Sequence, residues 1–231
     1  MAGTPTTQRI TRRNRMKFPD RWDLTQLVND PATDIDAQLA DLRSKVAQIE
    51  AARSTLTPSM SSQDLLTLLH LSEKIAQGAS RLGAYAYLRF SENTKNAEAR
   101  SLKTRVEEQL TELTNRLLFF ELWWQSVDDA NAARLMADAD DLRYHLETIR
   151  RFKPHTLSEP EEKILNLKNV TGRSAVHTLY DLVTNGLTFT MTVGGKKKTV
   201  NREELMTYVR NPKAPGRQAA YQGRYRVFAT Q

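Results

Sequence analysis

Four histidines, His70, His145, His155 and His177, are the residues best suited to acid–base or metal chemistry. None stands in an HExxH pattern, in which two histidines one helical turn apart bind zinc and the intervening glutamate acts as base. His70 and Glu73 lie three residues apart, so one helix face could present both to a metal ion. His145-Leu-Glu147 sends its two polar groups to different faces. Each histidine therefore reads as a surface or partly buried side chain. The carboxylate pairs Asp128/Asp129 and Asp140/Asp141 sit where helices begin, where capping and dipole complementation explain them. Cysteine is absent, which removes thiol nucleophiles, thiolate zinc sites and disulfides. No GxxxxGK[ST], GxGxxG or GxSxG motif occurs. Gly194-Gly195-Lys196-Lys197-Lys198 has the composition of a phosphate loop, but a hairpin tip with solvated lysines accounts for it. These residues assign no catalytic or metal position, and the periodicity names no substrate-binding residue.

The chain has 231 residues and a formal charge of +7. That charge is unevenly placed: residues 1–17 carry +5, residues 195–231 carry +7, and the stretch between is mildly acidic. A nucleic-acid binder concentrates cations on one folded face among aromatics, so charge confined to the two ends makes nucleic acid an unlikely partner. The first end, residues 1–20, has no periodicity and reads as a basic disordered arm, not an organelle transit peptide. It has no apolar segment behind its arginines, unlike a secretory signal. No stretch approaches the roughly 18–20 apolar residues that a membrane span needs.

Helical spacing dominates from residue 33 to 185. Ile35, Leu39, Leu42, Val46 and Ile49 share one helix face, with Thr33 as the expected N-cap. A second helix, opened by Ser61 or Ser62, carries Leu65, Leu68, Leu69, Ile75, Leu82, Tyr85 and Leu88. Gly78 and Gly83 inside it imply either a closely packed neighbour or a bend. Asn93 or Thr94 is expected to cap a third helix with the stripe Leu102, Val106, Leu110, Leu113, Leu117, Phe120 and Trp124. Lys103, Glu107, Glu108 and Glu112 form its expected solvated side. The run Phe119-Phe120-Glu121-Leu122-Trp123-Trp124 cannot all face one core, and packing against another part of the same protein is the favoured explanation over a ligand site. Helical pattern restarts at 128–130 and stops at Pro154.

Ser158-Glu-Pro-Glu161 is a capping box. Gly172 is expected to close the helix it opens, and Gly186 the next, which contains Val176, Leu179 and Leu182. Leu187–Val193 alternates apolar and polar residues, Gly194-Gly195 turns, and Lys198–Val200 returns, giving one β-hairpin. Asn201 and Glu204 open a short helix ended by Pro212. A last helical pattern, with Ala219, Ala220, Tyr225 and Phe228, runs to Gln231 with no breaker, as in a truncated chain.

Several of these segments resemble one family. Trp22-Asp-Leu24, Ala84-Tyr-Ala-Tyr-Leu-Arg-Phe90 and Asn115-Arg-Leu-Leu-Phe-Phe-Glu121 are similar to the N-terminal region of the oligoendopeptidase F group of zinc metallopeptidases, relatives of thimet oligopeptidase. The most specific stretch is Arg151–Leu165, followed by Thr171-Gly172 and Leu179-Tyr-Asp181. The resemblance covers about residues 21–231.

It implies a mainly α fold of long antiparallel helices with one small hairpin near 187–200. The expected divisions are the arm at 1–20, a helical domain at 21–186, and a hairpin segment at 187–231 leading into a catalytic domain. The resemblance also implies a cytoplasmic enzyme that cleaves oligopeptides with zinc, which would acidify its bound water and polarise the scissile carbonyl. The HExxH residues that hold the zinc have no counterpart here. The chain is thus expected to form the wall of the substrate channel and to be inactive and zinc-free alone. Its expected partner is the missing catalytic domain, or a second copy through exposed apolar surface, with the aromatics at 119–124 and the final helix at the contact. The alternative reading is a standalone helical module that binds proteins or peptides.

Overall fold

Three long helices carry the architecture: α1 (Asp34–Ala51), α2 (Ser62–Glu92) and α3 (Ala97–Ser126). The computed structural model describes residues 22–230, so the basic arm expected over 1–20 lies outside the described residues. Antiparallel α1–α2 packing follows from which residues meet. Ile35 and Leu39 share a core with Leu82, Tyr85 and Ala86, while Val46 and Ile49 join Leu65, Leu68 and Leu69. α3 runs parallel to α1, with Arg105 paired to Asp36 near one end and Arg116 to Glu50 near the other. All five periodic residues of α1 are buried. Gly78 marks close helix packing, since a Cβ there would lie 2.9 Å from Leu42 Cδ2.

The helix starts differ in part from the sequence expectation. Ser61 caps α2 by accepting from the Asp64 amide at 3.1 Å. Thr33 does not cap α1; its hydroxyl donates to Asp30, and the Asp34 carboxylate collects the amides of Asn29 and Asp30, both at 3.0 Å. For α3 the cap is Asn96, which accepts from the Ala99 amide at 3.0 Å, rather than Asn93 or Thr94. Asn93 instead accepts from the Lys95 amide, forming an Asx turn one step earlier. The Asp128 side chain accepts from the Asn131 amide and caps α4 (Asp129–Leu135), as capping logic requires.

A 3₁₀ turn at Asp140–Leu142 leads to α5 (Arg143–Phe152), which packs on α3. The capping box forms at Ser158, where Glu161 accepts from the Ser158 amide at 3.0 Å. It opens α6 (Glu159–Asn169), but Gly172 does not end the helix. A π-helical segment at Val170–Ser174 carries the backbone on into α7 (Ala175–Gly186). Gly172 lacks the positive φ of a helix terminator, and the widened turn keeps the backbone helical.

The last part builds its own small core. β1 (Phe189–Val193) pairs antiparallel with β2 (Lys196–Val200), Phe189 opposite Val200. Gly194 and Gly195 turn the hairpin at φ of 58° and 75°, values that favour glycine. The capping box at Asn201 and Glu204 opens α8 (Arg202–Val209), and α9 (Ala214–Phe228) packs on β1 and α8. Phe189, Met191, Val200, Leu205 and Ala220 form this core, separate from the two cores of the helical part. The described fold is mainly α with a single hairpin.

Candidate functional site

The residues whose types suggested chemistry are scattered. His70 Nδ1 lies 3.5 Å from Glu73 Oε2, with both side chains exposed. His155 and His177 are exposed on other elements, and Glu147 turns away to Arg143 and Arg151. Asp129 pairs with Arg150 at 2.7 Å, while Asp140 opens the 3₁₀ turn at φ of 39°. The lysines of the hairpin tip are solvent-exposed, and Lys198 donates to the Tyr208 hydroxyl at 2.9 Å. Among the described residues, no three His, Asp or Glu side chains come close enough to hold a metal ion. The described side chains do not form a site for a catalytic zinc.

His145 has a second context. It lines a cleft of about 500 Å³ between α2, α3 and α5, together with Leu69, Ile75, Trp124, Ile149 and Glu121. The run at 119–124 explains how this cleft forms. Phe119, Phe120 and Trp124 turn inward and are buried within this chain, which corrects the expectation that these aromatics lie at a contact with a partner. Arg53 stacks 4.5 Å from the Phe119 ring centre, and the Trp124 indole donates to the Leu146 carbonyl at 3.0 Å.

Glu121, next to them on α3, is exposed as a residue, yet it borders the cleft. Loss of water around its carboxyl raises the pKa; His145 opposes the shift and Glu162 adds to it. A carboxyl whose folded pKa is raised favours the fold below the ordinary carboxylate range. That contribution disappears as pH climbs through the folded value. Glu121→Gln is therefore expected to raise the urea midpoint at pH 8 and to leave it unchanged near pH 4. A lower midpoint at pH 8 would contradict this account.

The strongest asymmetry lies on α6 and α7. The side turned toward α3 is polar: Asn166 donates to the Asn115 side chain at 2.8 Å, and Lys103 reaches Thr178 at 3.3 Å. Lys103 is itself buried and paired with Glu107 at 2.7 Å, so it does not belong to the solvated side expected for it. The outward side is rich in apolar residues, set among exposed polar ones such as Glu161, Lys168 and His177. Ile164, Leu165 and Leu167 are exposed on α6, and Val176, Leu179 and Val183 are 65%, 60% and 52% exposed on α7.

The π segment makes these two sets continuous. A π turn inserts one residue, which rotates everything after it by about 100° in an α-helical frame. Without that offset, the α7 set would point about 100° away from Ile164 and Leu167. Periodicity in the sequence showed that Val176 and Leu179 share a helix. It did not show that they face away from the core.

Residues 123–189 match the family model for oligopeptidase F. The chain is 20% identical over 234 aligned residues to oligopeptidase PepF of Bacillus subtilis strain 168, an alignment covering 99% of this chain and 34% of PepF. It therefore spans about a third of the length of that curated relative. The fold resembles the crystal structure of oligoendopeptidase-F from Enterococcus faecium with a TM-score of 0.66 at 18% identity, over 86% of this chain and 39% of the other. Together these matches make the chain similar to the N-terminal region of oligopeptidase F.

Proposed function

We propose that this chain forms the helical, substrate-enclosing part of an oligopeptide-cleaving zinc metallopeptidase, and that zinc and the residues holding it lie outside these 231 residues. The observation that carries this reading is the outward apolar face of α6 and α7. A helix pair that leaves six aliphatic side chains in water is built to be covered. The occupant is the catalytic part of the same enzyme, consistent with a chain that spans about a third of its curated relative.

In this reading, residues 21–186 are the helical wall and residues 187–231 lead toward the catalytic part. Enclosure by such a wall admits short, unfolded peptides and excludes folded proteins. The working compartment is the cytoplasm. Among the described residues, no helix is long and apolar enough to cross a membrane.

The test is peptidase activity. The 231-residue chain, incubated with zinc and an internally quenched oligopeptide, is expected to give no zinc-dependent turnover. Turnover that a chelator abolishes would overturn the assignment of the chemistry to residues outside this chain. A standalone interaction module would use the same apolar face. It is distinguished by a full-length natural product that ends at Gln231 and remains a soluble monomer.

A further inference from the structure

We propose that the cleft between α8 and α9, beside the hairpin, is a binding site for the carboxylate of a peptide. The proposal deepens the peptidase reading by assigning a charge preference to its substrate, and it rests on that reading. The cleft measures about 570 Å³ and is lined by Arg202, Arg210 and Arg224, with Glu203 as the acidic side chain among its lining residues. Phe228, whose ring centre lies 6.1 Å from that of the buried Phe189, supplies its exposed apolar surface.

The arginines here differ from those of the helical part. There, Arg116 grips Glu50 through two nitrogens, Arg150 reaches Asp129 and two backbone carbonyls, and Arg134 donates to the carbonyls of Pro58 and Met60. Among the described residues, no hydrogen bond or ion pair engages the guanidinium of Arg202, Arg210 or Arg224, although the Arg210 backbone amide donates to the Tyr208 carbonyl. Two of them are oriented by aromatic rings instead. The Arg202 guanidinium lies 5.9 Å from the Tyr180 ring centre, and that of Arg224 lies 5.7 Å from Phe228.

Stacking orients a guanidinium while leaving its N–H edges free to donate. Three arginines, two of them stacked, against one glutamate leave the cleft with a net positive charge. A planar fork of donors beside an apolar surface matches a carboxylate attached to an aliphatic or aromatic residue.

The test uses the whole chain and three dye-labelled hexapeptides of neutral sequence. One has a free C-terminal carboxylate, one is the C-terminal amide, and one is the amide with an internal glutamate. Binding by fluorescence anisotropy is expected to favour a carboxylate-bearing peptide over the plain amide by roughly tenfold at low salt. The free acid and the glutamate peptide identify which carboxylate is read. Arg210→Gln and Arg224→Gln should each reduce that preference severalfold, with unchanged circular dichroism. Equal binding of all three peptides, or variants that bind like the parent, would overturn the proposal. So would a site that takes inorganic phosphate or an oligonucleotide and no peptide acid. The readout needs neither zinc nor turnover, so its failure leaves the peptidase reading to be judged by its own assay.

Discussion

Replacing Trp124 with alanine is expected to cost about 3–5 kcal/mol of stability, read as a large drop in the urea midpoint of the helical part. The side chain is 1% exposed and lies in the main core. It also ties α3 to α5 in two ways. Its indole donates to the Leu146 carbonyl at 3.0 Å, and Arg150 lies 5.5 Å from the ring centre while donating to the Trp124 and Val127 carbonyls. Alanine would leave a void and remove the surface that positions Arg150. Trp124→Phe keeps most of the apolar contact but loses the indole donor, so about 1–2 kcal/mol is expected. Equal losses for the two variants would show that the hydrogen bond, not the packing, dominates.

Gly223→Val is expected to open the hairpin unit while sparing the helical bundle. A Cβ at Gly223 would lie 3.1 Å from the Thr190 carbonyl oxygen and 3.5 Å from Met191 Cβ. The first of these contacts is backbone in a paired strand, and it cannot rotate away as a side chain can. Valine must therefore push α9 off β1, at a cost of about 1–3 kcal/mol. Hydrogen exchange should show faster exchange at the amides of β1 and β2, with the amides of α1–α3 unchanged. Undisturbed exchange in the hairpin would contradict the close approach. The separate core of Phe189, Met191, Val200, Leu205 and Ala220 is why the damage stays local.

The parts of this fold that were legible in the sequence are those set by local rules. The spacing of Ile35, Leu39, Leu42, Val46 and Ile49 placed one face of α1 against the core, and all five are buried. Gly194-Gly195 specified the hairpin, and the boxes at Ser158 and Asn201 specified two helix starts. Where two residues competed for a local role, the sequence did not choose correctly. Asn96, not Asn93 or Thr94, caps α3, because Asn93 is taken up by its own turn.

Tertiary context decided the rest. Lys103 has the residue type of a solvated position, yet it is buried because Glu107 and Thr178 satisfy it. Gly172 has the type of a terminator, but the helix widens through it. Glu121 was hidden within an aromatic run, and only the cleft formed by α2 and α5 reveals its desolvated carboxyl. The outward face of α6 and α7 could not be read from periodicity, because an apolar stripe carries no mark of which neighbour it meets.

That face is the most direct test of the account. Sedimentation of the 231-residue chain is expected to show self-association at micromolar concentrations, because this apolar surface is exposed. The double variant Val176→Lys, Leu179→Lys is expected to sediment as a monomer. Its urea midpoint should change little, since exposed substitutions typically shift stability by about 0.5 kcal/mol or less. A parent chain that remains monomeric across that range, or a double variant that unfolds, would contradict the claim that this face is an interface awaiting its partner.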